Sequence, residues 1–402
     1  MADRMIEPEP PIPYARQDIS EADIEAVVRV LRSDFVTQGP VIEQFEQALA
    51  GYCGARHAVA VCNATAALHL ACRALGLGPG DTLWTSPNTF VASANCALYC
   101  GAGVDFVDVD PRTYNLSAAK LEEKLAQAAK SGRLPKVLVA VHFAGQPCDM
   151  AAIGALAKRY GVAVIEDAAH AVGATDGTGD ETARVGAGAH SDMTVFSFHP
   201  VKILTTGVGG MLLTNRPELA ERLRLLRSHG VTRDAARMQG PFHDLLHGPW
   251  YYEQVELGYN YRITDIQAAL GLSQFQRLDA FLARRRQLAA QYNRLLEGAP
   301  LTLPWQRPEA LSAWHLYVVR VPAGAGNGRR AVFEGLHAAG IRANVHYIPV
   351  HLQPHYRQLG FKAGDFPEAE RYYTEAISLP MYAALSDADQ ARVAAELRSL
   401  LS

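Results

Sequence analysis

Three short stretches of the chain carry side chains whose types and order could do carbonyl chemistry. The first is Asn63-Ala64-Thr65-Ala66-Ala67, where the apolar run HAVAVC passes into a small-residue helical pattern. Free N–H groups at a helix start, with a hydroxyl beside them, form an anion cup. The second is Glu166-Asp167-Ala168-Ala169-His170, at the end of the run VAVI. An ionised Asp at the carboxyl end of a parallel strand can keep a pyridine nitrogen protonated, which turns the ring into an electron sink. The third is Ser197-Phe198-His199-Pro200-Val201-Lys202. A lysine shielded from water loses basicity and becomes a nucleophilic amine, and Ser197 could bind phosphate. Taken singly, each has a plainer alternative: a threonine near a helix start, an aspartate capping a helix, a surface lysine. Together they supply a phosphate cup, a pyridinium partner and a Schiff-base lysine, the set that pyridoxal 5'-phosphate (PLP) requires.

These residues need elements to hold them. Residues 18–32 have an amphipathic helical pattern, with Ser20 as N-cap and Asp23 in the capping-box position. A second helix spans 41–53. Apolar strand runs then alternate with helical patterns: HAVAVC, DTLWTS, VDFVDVD, PKVLVAVHF and VAVIEDA are separated by helices. Such alternation predicts an α/β domain with a mostly parallel sheet covered on both faces. DMTVFSF and GGMLLT add strands on either side of Lys202, and 217–229 and 263–296 read as helical. The stretch 232–261 is polar, aromatic and punctuated by Gly and Pro, an excursion able to reach a partner subunit. Beyond about residue 300 the texture changes to a smaller α+β unit, with strand HLYVVRV, helix RRAVFEGLHAAG and the extended segment IRANVHYIPV. The expected organisation is an N-terminal arm and helix (1–35), a large domain (36–262), and a linking helix with a small C-terminal domain (263–402).

Composition excludes other classes. With 402 residues and a formal charge of −3, nothing marks a nucleic-acid-binding face. The densest cationic cluster, Arg284-Arg285-Arg286, reads as a solvated helix face. The six cysteines form no C-x-x-C pair and read as buried free thiols of a reducing compartment. His346, His351 and His355 are interrupted by Pro349 and Pro354, so no metal site is expected. The acidic, Pro-rich start has no apolar core of a signal peptide, and no run of about 18 apolar residues could span a membrane. A cytoplasmic enzyme is the expectation.

The same motifs, with TQGP (37–40), NTFVASANC (88–96), TTGVGG (205–210), SHG (228–230), GYNYR (258–262) and HYIPVHLQP (346–354), resemble those of the DegT/DnrJ-type nucleotide-sugar aminotransferases among fold-type-I PLP enzymes. The resemblance runs from about Ile12 to the end. It implies a Schiff base on Lys202, Asp167 on the pyridine nitrogen, and the phosphate held by Thr65, the Ala64 and Ala66 N–H groups and Ser197. It also implies Phe90 near the ring face, unless it is a core residue of a helix start, and His170 beside the ring oxygen or substrate, unless it is structural. Asn260 would reach across a homodimer to the partner's site. IPYARQDI, SDFVTQGP and VHYIPVHLQPHY are most similar to the branch that serves pseudaminic acid biosynthesis. That branch implies glutamate and a UDP-linked 4-keto-6-deoxy sugar as substrates. The sugar would contact Tyr14, Asp34, Phe35, Val36, Thr37, Ala64, Ser197, Asn260, and Asn344, Val345, His346 and Tyr347. Two positions depart from the family pattern: Val208 stands where Glu is usual, and Asn63 where Ser is usual. A sugar dehydratase of this fold carries His at the lysine position, which Lys202 argues against. A non-catalytic PLP-binding regulator is opposed by the intact Asp167, Ser197 and Lys202.

Overall fold

Seven short strands build the central sheet of the computed structural model, which describes residues 10–177, 179, 182–238 and 248–402. They are β1 (His57–Val61), β2 (Thr82–Thr85), β3 (Gly103–Phe106), β4 (Val137–Val141), β5 (Ala163–Asp167), β6 (Met193–Ser197) and β7 (Gly210–Thr214). Their spatial order is β1-β7-β6-β5-β4-β2-β3. β4, β6 and β7 are buried along their whole length. That is why they read as continuous apolar runs rather than alternating ones. β2 to β6 pair in parallel, while β7 runs antiparallel to both β1 and β6. The fold is thus α/β with a mostly parallel sheet and one reversed strand.

Helices cover both faces. α3 (Ala64–Ala74), α4 (Ala92–Tyr99) and α7 (Pro217–Arg227) share a core with Val59, Val139, Ile165 and Val195. The opposite face packs Phe196 and Met211 against α2 (Pro40–Cys53), and Leu138 and Val164 against α5 (Ala118–Ser131) and α6 (Met150–Tyr160). Successive strand residues alternate in direction. Asp167 therefore shares the α3/α4 face with Ile165, whereas Glu166 turns to the other face, where it meets His142 Nε2 at 2.7 Å.

α1 (Glu21–Leu31) begins with the capping box formed by Ser20 and Asp23. The helical stretch expected over 263–296 is two helices, α8 (Asp265–Phe275) and α9 (Leu278–Leu295). The break falls where the Arg277 guanidinium turns to Asp18 and Asp23, at 2.9 and 2.6 Å, tying the junction to the start of α1. The expectation of a solvated face at 284–286 is corrected by Arg285. It is buried and donates to the carbonyls of Trp314, His315 and Met381 at 3.0–3.3 Å. Burial pushes its pKa down to about 10. Three backbone acceptors make a cation at that position a tether between α9 and the C-terminal layer.

In that layer β8 (Tyr317–Arg320) pairs antiparallel with β9 (Ala376–Leu379), against α10 (Gly328–Ala338), α12 (Pro367–Glu375) and α13 (Asp387–Leu401), while α11 (Pro354–Gln358) packs its Tyr356 on Ala94 and Phe106 of the large domain. The N-terminal arm docks here: the Ile12 N–H donates to Gly340 O at 2.9 Å, and the Met381 N–H to Tyr14 O at 2.9 Å. Within the excursion, Val231–Thr232 pairs with Glu253–Gln254. Residues 239–247, and with them part of the segment expected to reach a partner, lie outside the described residues, as do residues 1–9. Among the described residues no helix is long and apolar enough to cross a membrane.

Candidate active site

Val61, Gly210 and Ser197 stand in one row across β1, β7 and β6. From Val61 the chain turns through Cys62 into Asn63, the N-cap of α3. Gly210 lets this turn come down onto the sheet: a Cβ there would lie 2.6 Å from the Asn63 carbonyl carbon and 2.7 Å from the Ala64 nitrogen. The Asn63 carboxamide oxygen accepts the Ala66 N–H at 2.8 Å. The Ala66 N–H is therefore engaged inside the helix start, and the anion-cup donors are the Ala64 and Thr65 N–H groups, which have no intrahelical acceptor. Ala64, Thr65, Ser197 and Lys202 all line one cavity of about 480 Å³.

Asp167, at the end of β5, also lines this cavity and is 6% exposed. Its Oδ1 accepts the Ala169 N–H at 3.1 Å, and its Oδ2 accepts the Ser93 hydroxyl at 2.6 Å. Lys202 sits in the loop after β6, where its N–H donates to His199 O at 2.8 Å. Burial pushes its amine pKa down to about 8, against the opposing pull of the Asp167 charge. The geometry thus gives an amine, a carboxylate and a helix start facing the same space.

The third wall comes from the C-terminal layer. The Ala144 N–H donates to His170 Nδ1 at 3.3 Å, which places the proton of the neutral ring on Nε2, 3.1 Å from the Tyr347 hydroxyl. Burial, and then the Lys202 charge, hold the His170 pKa well below its ordinary value. Burial and Lys202 likewise lower His346 to about 4, and its Nδ1 lies 2.8 Å from Ser378 Oγ. His315 lines the cavity with its ring centroid 4.3 Å from that of His170, and burial lowers its pKa as well. Burial raises the Tyr347 pKa. The three histidines are neutral at pH 7, and of them His170 and His346 have hydrogen-bond partners. Tyr14, Asn344 and Val345 complete this wall.

Phe90 lies at the cavity mouth and is 59% exposed, so it is not a core residue of the helix start. Asn260 and the turn Asp34–Thr37 are exposed and do not line the Lys202 cavity of their own chain. The sequence assigned no role to several lining or supporting residues: Thr89 and Ser93 lie within NTFVASANC, Thr89 in the turn before α4 and Ser93 inside that helix, and His315 stands at the edge of a strand. Their roles depend on long-range contacts. Val208, the departure after the lysine, lines the cavity with its side chain, while its carbonyl accepts from Gln267 Nε2 at 2.7 Å.

The donor set fits pyridoxal phosphate: backbone N–H groups and hydroxyls for a phosphate, a buried carboxylate for a ring N–H, and an amine of lowered basicity for the carbonyl carbon. The sequence profile of the DegT/DnrJ/EryC1/StrS aminotransferase family matches residues 17–398, and the chain belongs to that family of PLP-dependent sugar aminotransferases. It is 41% identical over 394 residues to the spore coat polysaccharide biosynthesis protein SpsC of Bacillus subtilis, covering 97% of each chain. GDP-perosamine synthase of Caulobacter vibrioides is 40% identical over 365 residues, 90% of this chain and 91% of that one. Among solved structures, the PMP form of Spr1654 from Streptococcus pneumoniae superposes with a TM-score of 0.86 at 30% identity, covering 97% of this chain and 98% of that one. PseC of Helicobacter pylori, an aminotransferase of pseudaminic acid biosynthesis, gives 0.86 at 29% identity, covering 97% and 99%.

Proposed function

We propose that the chain transfers the amino group of glutamate to C4 of a UDP-linked 4-keto-6-deoxy-N-acetylhexosamine, UDP-2-acetamido-2,6-dideoxy-β-L-arabino-hex-4-ulose, in pseudaminic acid biosynthesis. The observation that carries amine transfer is Lys202 facing Asp167 across one cavity, with its amine pushed down to about 8. The likeness to PseC supports this particular sugar.

When bound, pyridoxal phosphate supplies a carbonyl that takes up and gives back the amine, and a ring that delocalises charge from the substrate carbon. The Ala64 and Thr65 N–H groups, the Thr65 hydroxyl and Ser197 bind the phosphate. Asp167 keeps the proton on the pyridine nitrogen. Lys202, neutral in a useful fraction at pH 7, carries a proton to and from the substrate carbon. His170, fixed as its Nε2–H tautomer, orients polar groups beside the ring. Tyr14 and Asn344–Tyr347 form the sugar side of the cavity.

The site is proposed to be completed by a second copy of the chain. A cofactor phosphate and a nucleotide diphosphate bring several negative charges, yet the only lysine or arginine lining the cavity among the described residues is Lys202, whose basicity is lowered. Exposed Asn260, with Asp34–Thr37, is proposed to serve the partner's cavity in a homodimer. The cytoplasm is the proposed setting, supported by six free cysteines.

The test is a panel of UDP-, dTDP- and GDP-linked 4-keto sugars with glutamate, followed by NMR assignment of the product amine. Preferential turnover of the UDP-linked N-acetylhexosamine supports the reading. Equal turnover of unrelated sugars would sink the pseudaminic assignment. A preference for a GDP-linked sugar would establish the second reading, which the 40% identity to GDP-perosamine synthase favours.

A further inference from the structure

Asp167 is a carboxylate buried where water is scarce, and ionisation is what its role requires. The titratable groups facing it are Lys202, from the loop after β6, and Tyr347, from the C-terminal layer. Tyr347 is neutral, and once Lys202 is engaged by the cofactor its charge no longer serves Asp167. Apart from the pyridinium N–H that the cofactor itself would present, the support the chain gives Asp167 is then hydrogen bonding. The Ala169 N–H reaches Oδ1 at 3.1 Å, and the Ser93 hydroxyl reaches Oδ2 at the shorter 2.6 Å. Ser93 is itself fully buried, and its oxygen lies 2.8 Å from the Thr89 hydroxyl, buried too.

Proton counting fixes the direction of this chain. An ionised Asp167 only accepts, so Ser93 must give it its one proton, and the Ser93 oxygen must then accept from Thr89. Thr89 lies in the turn that leads into α4 and Ser93 in the first turn of that helix, which stands on the face of the sheet that Asp167 points to. A hydrogen bond to the charged form of an acid favours that form, and such bonds are the strong ones in a buried site.

We propose that Ser93, oriented by Thr89, is the positioning residue that keeps Asp167 ionised and aimed at the cofactor's pyridine nitrogen. This rests on the cofactor chemistry and not on the identity of the sugar. The Ser93 hydroxyl touches neither substrate nor cofactor in this role; it acts through the carboxylate alone.

The experiment titrates cofactor-free protein with pyridoxal phosphate from about pH 5 to about pH 9 and follows both affinity and the absorption of the bound cofactor. Ser93→Ala is expected to weaken binding about tenfold near neutral pH and to move the acid limb of the titration up by about one pH unit, because the carboxylate loses a hydrogen bond that favours a charged acceptor. Ser93→Thr, which keeps the hydroxyl, is expected to restore both. Unchanged affinity and an unmoved acid limb in Ser93→Ala would overturn the proposal. So would a protein that loses thermal stability while its acid limb stays put, the mark of a packing role. Should Ser93→Ala fail to fold, Thr89→Val decides: its acid limb must move up by a smaller amount, and an unmoved limb overturns the proposal.

Discussion

The lowered basicity of Lys202 can be tested before any sugar is turned over. With a pKa of about 8, about one amine in ten is neutral at pH 7; with the ordinary value of 10.5, it would be about one in three thousand. Burial therefore gives about a 300-fold gain in the fraction able to attack a carbonyl. The assay mixes cofactor-free protein with pyridoxal phosphate at a series of pH values, traps the adduct by borohydride reduction, and locates it by peptide mapping. Dividing each rate by that of N-acetyl-lysine methyl ester at the same pH, corrected to that amine's own neutral fraction, cancels the titration of the cofactor itself. The corrected rate is expected to climb about tenfold per pH unit and to level off near pH 8. Asp167→Asn removes the charge that pulls the amine pKa up, so its break is expected at lower pH. A rate that still climbs beyond about pH 9.5 would refute the argument from burial, and a major adduct on another lysine would refute the assignment of Lys202.

The same shift has a thermodynamic side. The folded-state pKa of Lys202 is depressed, so below about pH 8 both states are protonated and the folded one carries the cost of a desolvated ammonium. Lys202→Met in cofactor-free protein is therefore expected to gain on the order of 2 kcal/mol near neutral pH, and to lose that gain as pH rises through the window from about 8 to about 10.5. Denaturant unfolding at several pH values measures it; a gain that persists at high pH would point to packing instead. Gly210→Ala would place a methyl group 2.6–2.7 Å from backbone atoms of Asn63 and Ala64, which cannot move without shifting the start of α3. Affinity for pyridoxal phosphate is expected to fall at least about tenfold while the fold persists, read by equilibrium dialysis beside circular dichroism.

Much of this architecture was legible in the sequence because it is locally encoded. Apart from VDFVDVD, the apolar runs of the large domain became strands within a residue or two, and Ser20 and Asp23 formed the box their spacing announces. Asp167, Ser197 and Lys202 were legible because strand ends bring such residues to one edge of the sheet. What stayed hidden depends on contacts distant in sequence. The run VDFVDVD stops as a strand at Phe106, and Asp108 instead accepts the N–H groups of Glu368 and Ala369 at the start of α12. Arg285 reads as one of three surface arginines until the carbonyls of Trp314 and Met381 are seen around it. Ser93 reads as a small helix residue until β5 is placed beside α4. Asn63 reads only as a departure from the usual Ser until its carboxamide is found on the Ala66 N–H, which withdraws that group from the helix start.

The reversed strand β7 has a consequence for how the site comes into being. Because β7 returns beside β6, the loop bearing Lys202 opens and closes at the same end of the sheet, shut by the Ser197–Gly210 pair and by the Phe198 N–H on Gly209 O at 2.9 Å. The reactive lysine belongs to a hairpin, a local structure whose closure has a small entropic cost. Its lowered basicity, by contrast, comes from burial by segments far away in the chain, the C-terminal layer among them. A chain with only this hairpin formed would carry a lysine of ordinary basicity, about 300-fold poorer at pH 7 in the neutral amine that attacks an aldehyde than the finished assembly.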